Sequence, residues 1–309
     1  MTSAIEHAAM PATPPPAEPG PSGLRQARRH TRGRSSAIAG SALVLAILAA
    51  CIIVPMFSPY STSDFVGTPL EHPSGAHLFG TDDLGRDVFV RAFVAGRVDI
   101  LLAITGAAIA LAIGTGLGVS AAMARRSFWD SLLMRIVDAV IAFPGVVLIL
   151  ALVLVIGAAT SYGPIPAGVP SILIAVFVTH WAVFARIARA QTLAIRDGDY
   201  IQVTRVLGYS RLRVVFRHVL PNVIGPSVAY AITDAIRIIV VISSLPFLGA
   251  GVEPPAPEWG NMMYEGRVYL ADAWWVALAP GLLLAMTGIG LAVAAEGFTT
   301  WASGTRKAR

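Results

Sequence analysis

The sequence predicts an all-α polytopic membrane protein with six transmembrane helices, on three observations. Of its 309 residues, 55% are hydrophobic and only 13% are charged. With the 29 glycines the apolar share reaches about 64%, against roughly 45–50% in soluble domains. Uncharged apolar runs recur at the length of about 20 residues that a helix needs to cross a bilayer. These runs lack the polar–apolar alternation of barrel strands, and only helices and closed barrels satisfy backbone groups in lipid. The composition excludes a water-soluble globule, which needs far more charged surface.

Taken in order, residues 1–35 read as a disordered cytoplasmic tail. Pro11, Pro14, Pro15, Pro16, Pro19 and Pro21 precede Arg25, Arg28, Arg29, Arg32 and Arg34. The first span is expected at 36–57. It reads as an uncleaved helix, because its apolar stretch exceeds a signal-peptide core and residues 35–63 carry no charge. An extracytoplasmic segment follows at 58–97, where Thr81 with Asp82 and Asp83 suggests a helix start and Asp83/Arg86 and Asp87/Arg91 suggest pairs along it. The membrane core, 98–300, begins with a second span at 98–122. Residues 139–185 carry no charge, too long for one helix. Gly157, the turn Ser161, Tyr162, Gly163 and Pro164, and Pro166 divide the run into a third span at 136–157 and a fourth at 170–192. The fifth is expected at 222–245, the sixth at 273–296, and a cytoplasmic end at 301–309.

Orientation follows the basic residues. Of 23, 18 fall in the tail, the 123–135 loop, the 186–221 segment and the C-terminal end. Arg86, Arg91, Arg97 and Arg267 fall on the other side, and Arg237 lies within the fifth span. Both termini are therefore expected in the cytoplasm, in agreement with an even number of spans. The net charge of +5 forms no basic stripe interleaved with aromatics, so nucleic acid is not an expected partner. One cysteine, Cys51, excludes an intrachain disulfide and a Cys-based metal cluster.

The loop at 193–221 is long, basic and patterned. Residues 199–208 read as a short helix with Asp199 at its N-cap and Gly208 as its stop. Val203, Val206 and Leu207 share one face while Gln202 and Arg205 turn away. Ser210 caps a second helix, 211–220, before Pro221 and Asn222 open the fifth span. A short helix with an apolar knob suits docking in another protein's groove. It equally suits lying on the bilayer surface among anionic headgroups.

Residues 200–221 resemble the EAA loop of ABC-importer permeases: Glu-Ala-Ala, three residues, Gly, nine residues, Ile, one residue, Leu-Pro. Gly208, Leu220 and Pro221 fall at that spacing. His218 stands in place of Ile, and Gln202, Val203 and Thr204 replace the triplet. Further stretches resemble the dipeptide/oligopeptide/nickel branch, in its C-type subunit. These are His77, Leu78, Phe79, Gly80, Thr81, Asp82, Asp83, Leu84, Gly85, Arg86, Asp87, Val88 and Phe89; Asp138 with Phe143 and Pro144; and Trp181, Ala185, Arg186, Arg189 and Gln191. Phe247, Leu248 and Gly249, then Pro254, Pro255, Pro257, Trp259 and Gly260, complete the set. The C-terminal end departs, since Glu296 and Gly297 lead into Thr299, Thr300 and Trp301 rather than the branch's Asp-Pro.

The resemblance implies a type I importer permease fold with a cytoplasmic coupling helix. It implies a non-catalytic subunit that forms half of a translocation pathway in the lipid bilayer for peptides, nickel or a related small solute. The implied partners are a second homologous permease, two ABC ATPases and an extracytoplasmic substrate-binding protein. Tyr200, Gln202, Val203, Thr204, Arg205, Val206, Leu207, Gly208, Leu220 and Pro221 are then the ATPase-coupling residues. Residues 77–97 and 246–272 are expected to face the binding protein. The alternative class is a stand-alone secondary transporter, expected to carry functional midplane charges; only Asp234 and Arg237 qualify.

Asp234 and Arg237 share a face of the fifth span, and with His180 they are the candidate pathway-lining residues. The competing reading is an internal ion pair or one made with the second permease. His180 reads as a packed or hydrogen-bonded residue rather than a nickel ligand, and Asp82, Asp83 and Asp87 as structural rather than metal-binding. Asp138 is expected to pair with Arg135 or Arg186. Gly114 and Gly118, inside an apolar span, point to close helix packing rather than a nucleotide loop. No Walker Gly-Lys-Ser/Thr, no Gly-x-Ser-x-Gly and no other catalytic constellation occurs in the sequence, and neither cofactor nor metal is expected.

Overall fold

A computed structural model of the chain describes residues 21–124, 128–157 and 165–306, and every regular element among them is helical. The first 20 residues of the expected tail, Arg125 and Arg126, the turn Ser161–Pro164, Lys307 and Arg309 lie outside the described residues. Helix α1 (Pro21–Phe57) runs along α10 (Trp275–Arg306), while α2 (Val88–Met123) packs on α5 (Val169–Arg196) and α8 (Leu220–Ser244). One apolar core joins Cys51, Ile100, Ala103, Ile172, Val176, Ile238, Ile242 and Trp259.

The glycines set how closely α2 and α5 approach. A Cβ on Gly114 would lie 2.4 Å from the Trp181 carbonyl oxygen, and one on Gly118 2.2 Å from that of Ala185. Neither position has room for a side chain, so these are packing glycines.

Five helical stretches are long and apolar enough to cross a membrane: Gly33–Phe57, Val88–Met123, Val169–Arg196, Arg211–Leu248 and Trp275–Trp301. The expected third span, 136–157, is not one straight helix. It is replaced by α3 (Phe128–Ala142) and α4 (Gly145–Ile156), bent by 95° at Phe143 and Pro144 and making a sixth span only if the bent pair is counted as one. Proline has no N–H for the helix ladder and pushes the residue before it out of the α region.

Other boundaries move as well. Residues 21–35, expected to be disordered, begin α1, and α10 continues to Arg306 into the expected end segment. No helix starts at Thr81. Its hydroxyl donates to the Thr68 carbonyl at 2.6 Å and accepts from the Glu71 N–H at 2.8 Å, so it closes a loop instead. Helix α2 begins at Val88, capped by Asp87, which accepts from the Val90 N–H at 2.9 Å. The expected Asp87/Arg91 pair does not form. Asp87 takes His77 at 2.8 Å, and Arg91 reaches Asp82 at 3.4 Å and the Thr62 carbonyl at 2.8 Å. Asp83 and Arg86 do approach, at 3.8 Å.

Candidate docking site

Helix α6 (Asp199–Val206) follows the end of α5 after a two-residue turn. The Gly198 carbonyl accepts from the N–H groups of Ile201 and Gln202 at 3.0 and 3.1 Å. Asp199 is thus the first helical residue, where its charge suits the helix dipole, rather than the N-cap. Gly208 ends the turn with φ +75°, which a Cβ disfavours, and the Tyr209 N–H returns to the Thr204 carbonyl at 3.1 Å.

The helix has two unlike faces. Ile201 is only 1% exposed and packs with Val119 of α2, Ala188 of α5, and Val214, Val219 and Val223 at the start of the fifth span. Thr204 is also buried, its hydroxyl donating to the Ile201 carbonyl at 2.7 Å. On the other face Val203 is 55% and Val206 87% exposed, with Tyr200 and Leu207 beside them. Gln202 turns back, donating from Nε2 to the Asp197 carbonyl at 2.9 Å. The Arg205 side chain lies outside what is described. One side of this short helix is therefore embedded where three long helices meet, and the other is an uncovered apolar knob.

The lead-in to the fifth span is continuous with it. Ser210 caps α7 (Arg211–Val214), as its spacing suggested, accepting from the Arg213 N–H at 3.4 Å. A π-helical turn, Val215–Val219, then runs into Leu220 and Pro221 without a break. Pro221 therefore sits inside a continuous helical run rather than opening a new one; it has no N–H to return four residues back. His218 lies in the widened turn. Its Nδ1 is 2.6 Å from the Tyr200 hydroxyl oxygen, and its ring stacks on Tyr209 at 5.8 Å. The Arg213 guanidinium lies 5.4 Å from the Tyr209 ring centroid. His218 was noted in the sequence only as a departure from a pattern; its role as the partner of Tyr200 was missed.

The fifth-span charges do not pair with each other. Asp234 is 1% exposed and its Oδ2 lies 2.7 Å from His180 Nδ1 on α5. Arg237 is exposed and donates from Nη1 to the Tyr230 hydroxyl at 3.2 Å. Arg186 is the partner of Asp138, and Arg189 makes a two-pronged contact with Asp130 at 2.6 and 2.8 Å.

At the other end of α2, α9 (Trp259–Gly266) caps the bundle. Trp259 donates from its backbone to Asp99 at 3.0 Å and from its indole to the Ala92 carbonyl at 2.8 Å. Glu258 accepts from the N–H groups of Gly260 and Asn261 at 2.7 and 2.8 Å. Burial pushes the Glu258 carboxyl up from 4.5 to about 7. Burial also raises that of Glu265, which Arg86 approaches at 3.7 Å. Trp275 donates to the Thr81 carbonyl at 3.2 Å, and the Trp259–Ala92 and Arg86–Glu265 contacts join the segments at 77–97 and 246–272. Among the described residues no three His, Cys, Asp or Glu side chains are grouped to hold a metal ion.

Residues 114–303 match the family described as "Binding-protein-dependent transport system inner membrane component". The chain is 31% identical over 305 residues to the dipeptide transport system permease protein DppC of Alkalihalophilus pseudofirmus, covering 94% of this chain and 95% of that one. It is 35% identical over 274 residues to a protein of Brucella suis biovar 1 named as a peptide transport system permease, covering 88% of each. A protein of Brucella ovis named as a peptide permease is 35% identical over 280 residues, with 89% and 88% covered.

Proposed function

The chain belongs to the family of binding-protein-dependent transport system inner membrane components, and from that premise we propose that it imports peptides, with α6 as the helix that ATPase subunits grip. As a permease of this family it is a multi-pass, non-catalytic membrane subunit whose work depends on ATPase and substrate-binding partners. The finer arrangement is our reading. One copy pairs with a second, homologous permease, two ATPases sit beneath the pair, and a binding protein meets the opposite side.

The observation that carries the coupling role is the division of α6 into an anchored face and an uncovered one. Ile201 packs among α2, α5 and the start of the fifth span, with Thr204 buried on the same helix, while Val203, Val206 and Leu207 stand free. A groove that closes on the free face moves the anchored face with it and rocks the three spans it touches. The basic residues favour the cytoplasm for α6, because 18 of 23 lie on its side of the expected spans. Gly208 ends the prong and Pro221 sits in the helical run leading away from it, both at the coupling loop's spacing. Peptides are the proposed cargo because the DppC relative is named for dipeptides and the two Brucella relatives for peptides.

Reconstitution in proteoliposomes with the ATPases, second permease and binding protein tests this reading. ATP-driven accumulation of dipeptide that stops when the ATPases are omitted is the expected result. Accumulation by the chain alone would mark a stand-alone transporter and overturn it.

A further inference from the structure

The membrane-facing helices differ in what they leave uncovered. Along α1 the exposed residues include Ile38, Leu45, Ile52, Ile53 and Met56, and along α10 they include Leu278, Leu282, Met286 and Ile289. Those are surfaces for hydrocarbon. Helix α8 buries Val223, Ser227, Asp234, Ile238 and Ile242 against the bundle. A second line, at the three- and four-residue spacing of one helix face, runs through Pro226, Tyr230, Thr233 and Ser244, which are half-buried, and Arg237 and Val240, which are exposed. Four of these six carry a hydroxyl or a guanidinium. A stripe of that kind is unsuited to lipid, where ionisable side chains turn to protein or to a water-filled cavity.

The two charges of α8 fall on different faces. Asp234 turns inward and is held by His180, so the carboxylate that sequence spacing offers to Arg237 is already engaged. Arg237 keeps its guanidinium outward, touching only the neutral Tyr230 hydroxyl and lying 5.8 Å from that ring's centroid. Phe184 packs on the same ring at 5.1 Å and steadies it from behind. A guanidinium is a rigid fork of donors whose natural partner is a carboxylate, which it binds through two parallel hydrogen bonds. No carboxylate among the described residues supplies that partner.

We propose that the polar stripe of α8 lines the solute path and that Arg237 receives the carboxylate of the passing solute. This rests on the importer reading above and deepens it: the cargo class becomes solutes with a free carboxylate, as a peptide with an unblocked C-terminus has. Asp234 and His180 are positioning residues that keep the competing carboxylate out of the path.

Two measurements on the assembled complex test it. Arg237→Cys and Thr233→Cys are expected to react with a membrane-impermeant methanethiosulfonate reagent, and Leu282→Cys on the α10 surface is not; the native Cys51 is buried and stays silent. Uptake of a free-acid dipeptide, normalised to assembled complex, is expected to fall at least tenfold in Arg237→Gln and to stay within threefold of wild type in Arg237→Lys. An Arg237→Cys variant that the reagent does not label, or Arg237→Gln uptake equal to wild type, overturns the proposal. So does an Arg237→Gln chain that no longer co-purifies with the second permease, which would place the residue in a subunit interface. No ATP-driven uptake by the wild-type complex would instead mark failure of the importer reading.

Discussion

The Tyr200 hydroxyl lies 2.6 Å from Nδ1 of His218, tying the two-turn prong to the helical run that becomes the fifth span. The link spans 18 residues of loop and reaches the span through one histidine side chain. Losing it removes a hydrogen bond of roughly 1 kcal/mol, about a fivefold change in an equilibrium. Tyr200→Phe is therefore expected to lower solute transported per ATP hydrolysed several-fold while hydrolysis continues. His218→Ile added to it, which makes the pair apolar, should recover part of the ratio. Simultaneous uptake and phosphate-release measurements check this, and an unchanged ratio in Tyr200→Phe would remove the link from the transmission path.

Val206 is the most exposed of the prong's apolar residues, at 87%. An apolar anchor in a protein interface contributes about 2 kcal/mol or more, and a carboxylate there must also be desolvated. Val206→Asp should weaken ATPase association by roughly 30-fold or more without altering membrane insertion. Titration of ATPase onto the permease pair in nanodiscs reads this out.

Helices α2 and α5 meet at Gly118, where a Cβ would lie 2.2 Å from the Ala185 carbonyl oxygen. Gly118→Val forces backbone apart from backbone, and overpacking of that kind costs about 1–3 kcal/mol. A lower melting temperature in detergent is expected, while Gly116→Val, with open space around it, should melt near wild type.

Glu258 sits at the start of α9 with its carboxyl beside that of Asp99, the titratable group facing it from α2. Its folded value of about 7 lies above the ordinary 4.5, so the native state holds the proton more tightly. The stabilisation is full below pH 4.5 and is lost as pH rises through about 7. Across that window it amounts to at most about 3 kcal/mol. Hydrogen exchange of the α9 amides should quicken, beyond the intrinsic pH effect, as the pH rises through that window. Glu258→Gln should flatten that excess, and an identical profile in both proteins would refute the assignment.

Membrane class, the number of apolar runs and the Gly114/Gly118 contact were legible because each depends on local composition or spacing. The bend at Pro144 was written in the sequence too, but the length of the apolar run masked the proline. A helix start was expected at Thr81 because Thr81 and Asp82 have that chemistry, but they use it in a loop closed by Glu71, Arg86 and Arg91. What spacing did not reveal were contacts between distant residues. His180 with Asp234, 54 positions apart, and Asp99 with Trp259, 160 apart, depend on how helices are brought together. For the same reason Asp234 and Arg237, neighbours on one helix, look like a pair by spacing although the bundle turns one inward and leaves the other open.

Whether an ATPase holds the prong is decided by site-directed cross-linking in the assembled, transporting complex. Val206→Cys, with the buried Cys51 as the sole other thiol of the chain, should form a short-spacer cross-link to the ATPase subunit in a yield that changes with ATP. Leu282→Cys on the lipid-facing surface should form none. A complex that transports normally yet gives no ATPase cross-link from position 206 would contradict the account.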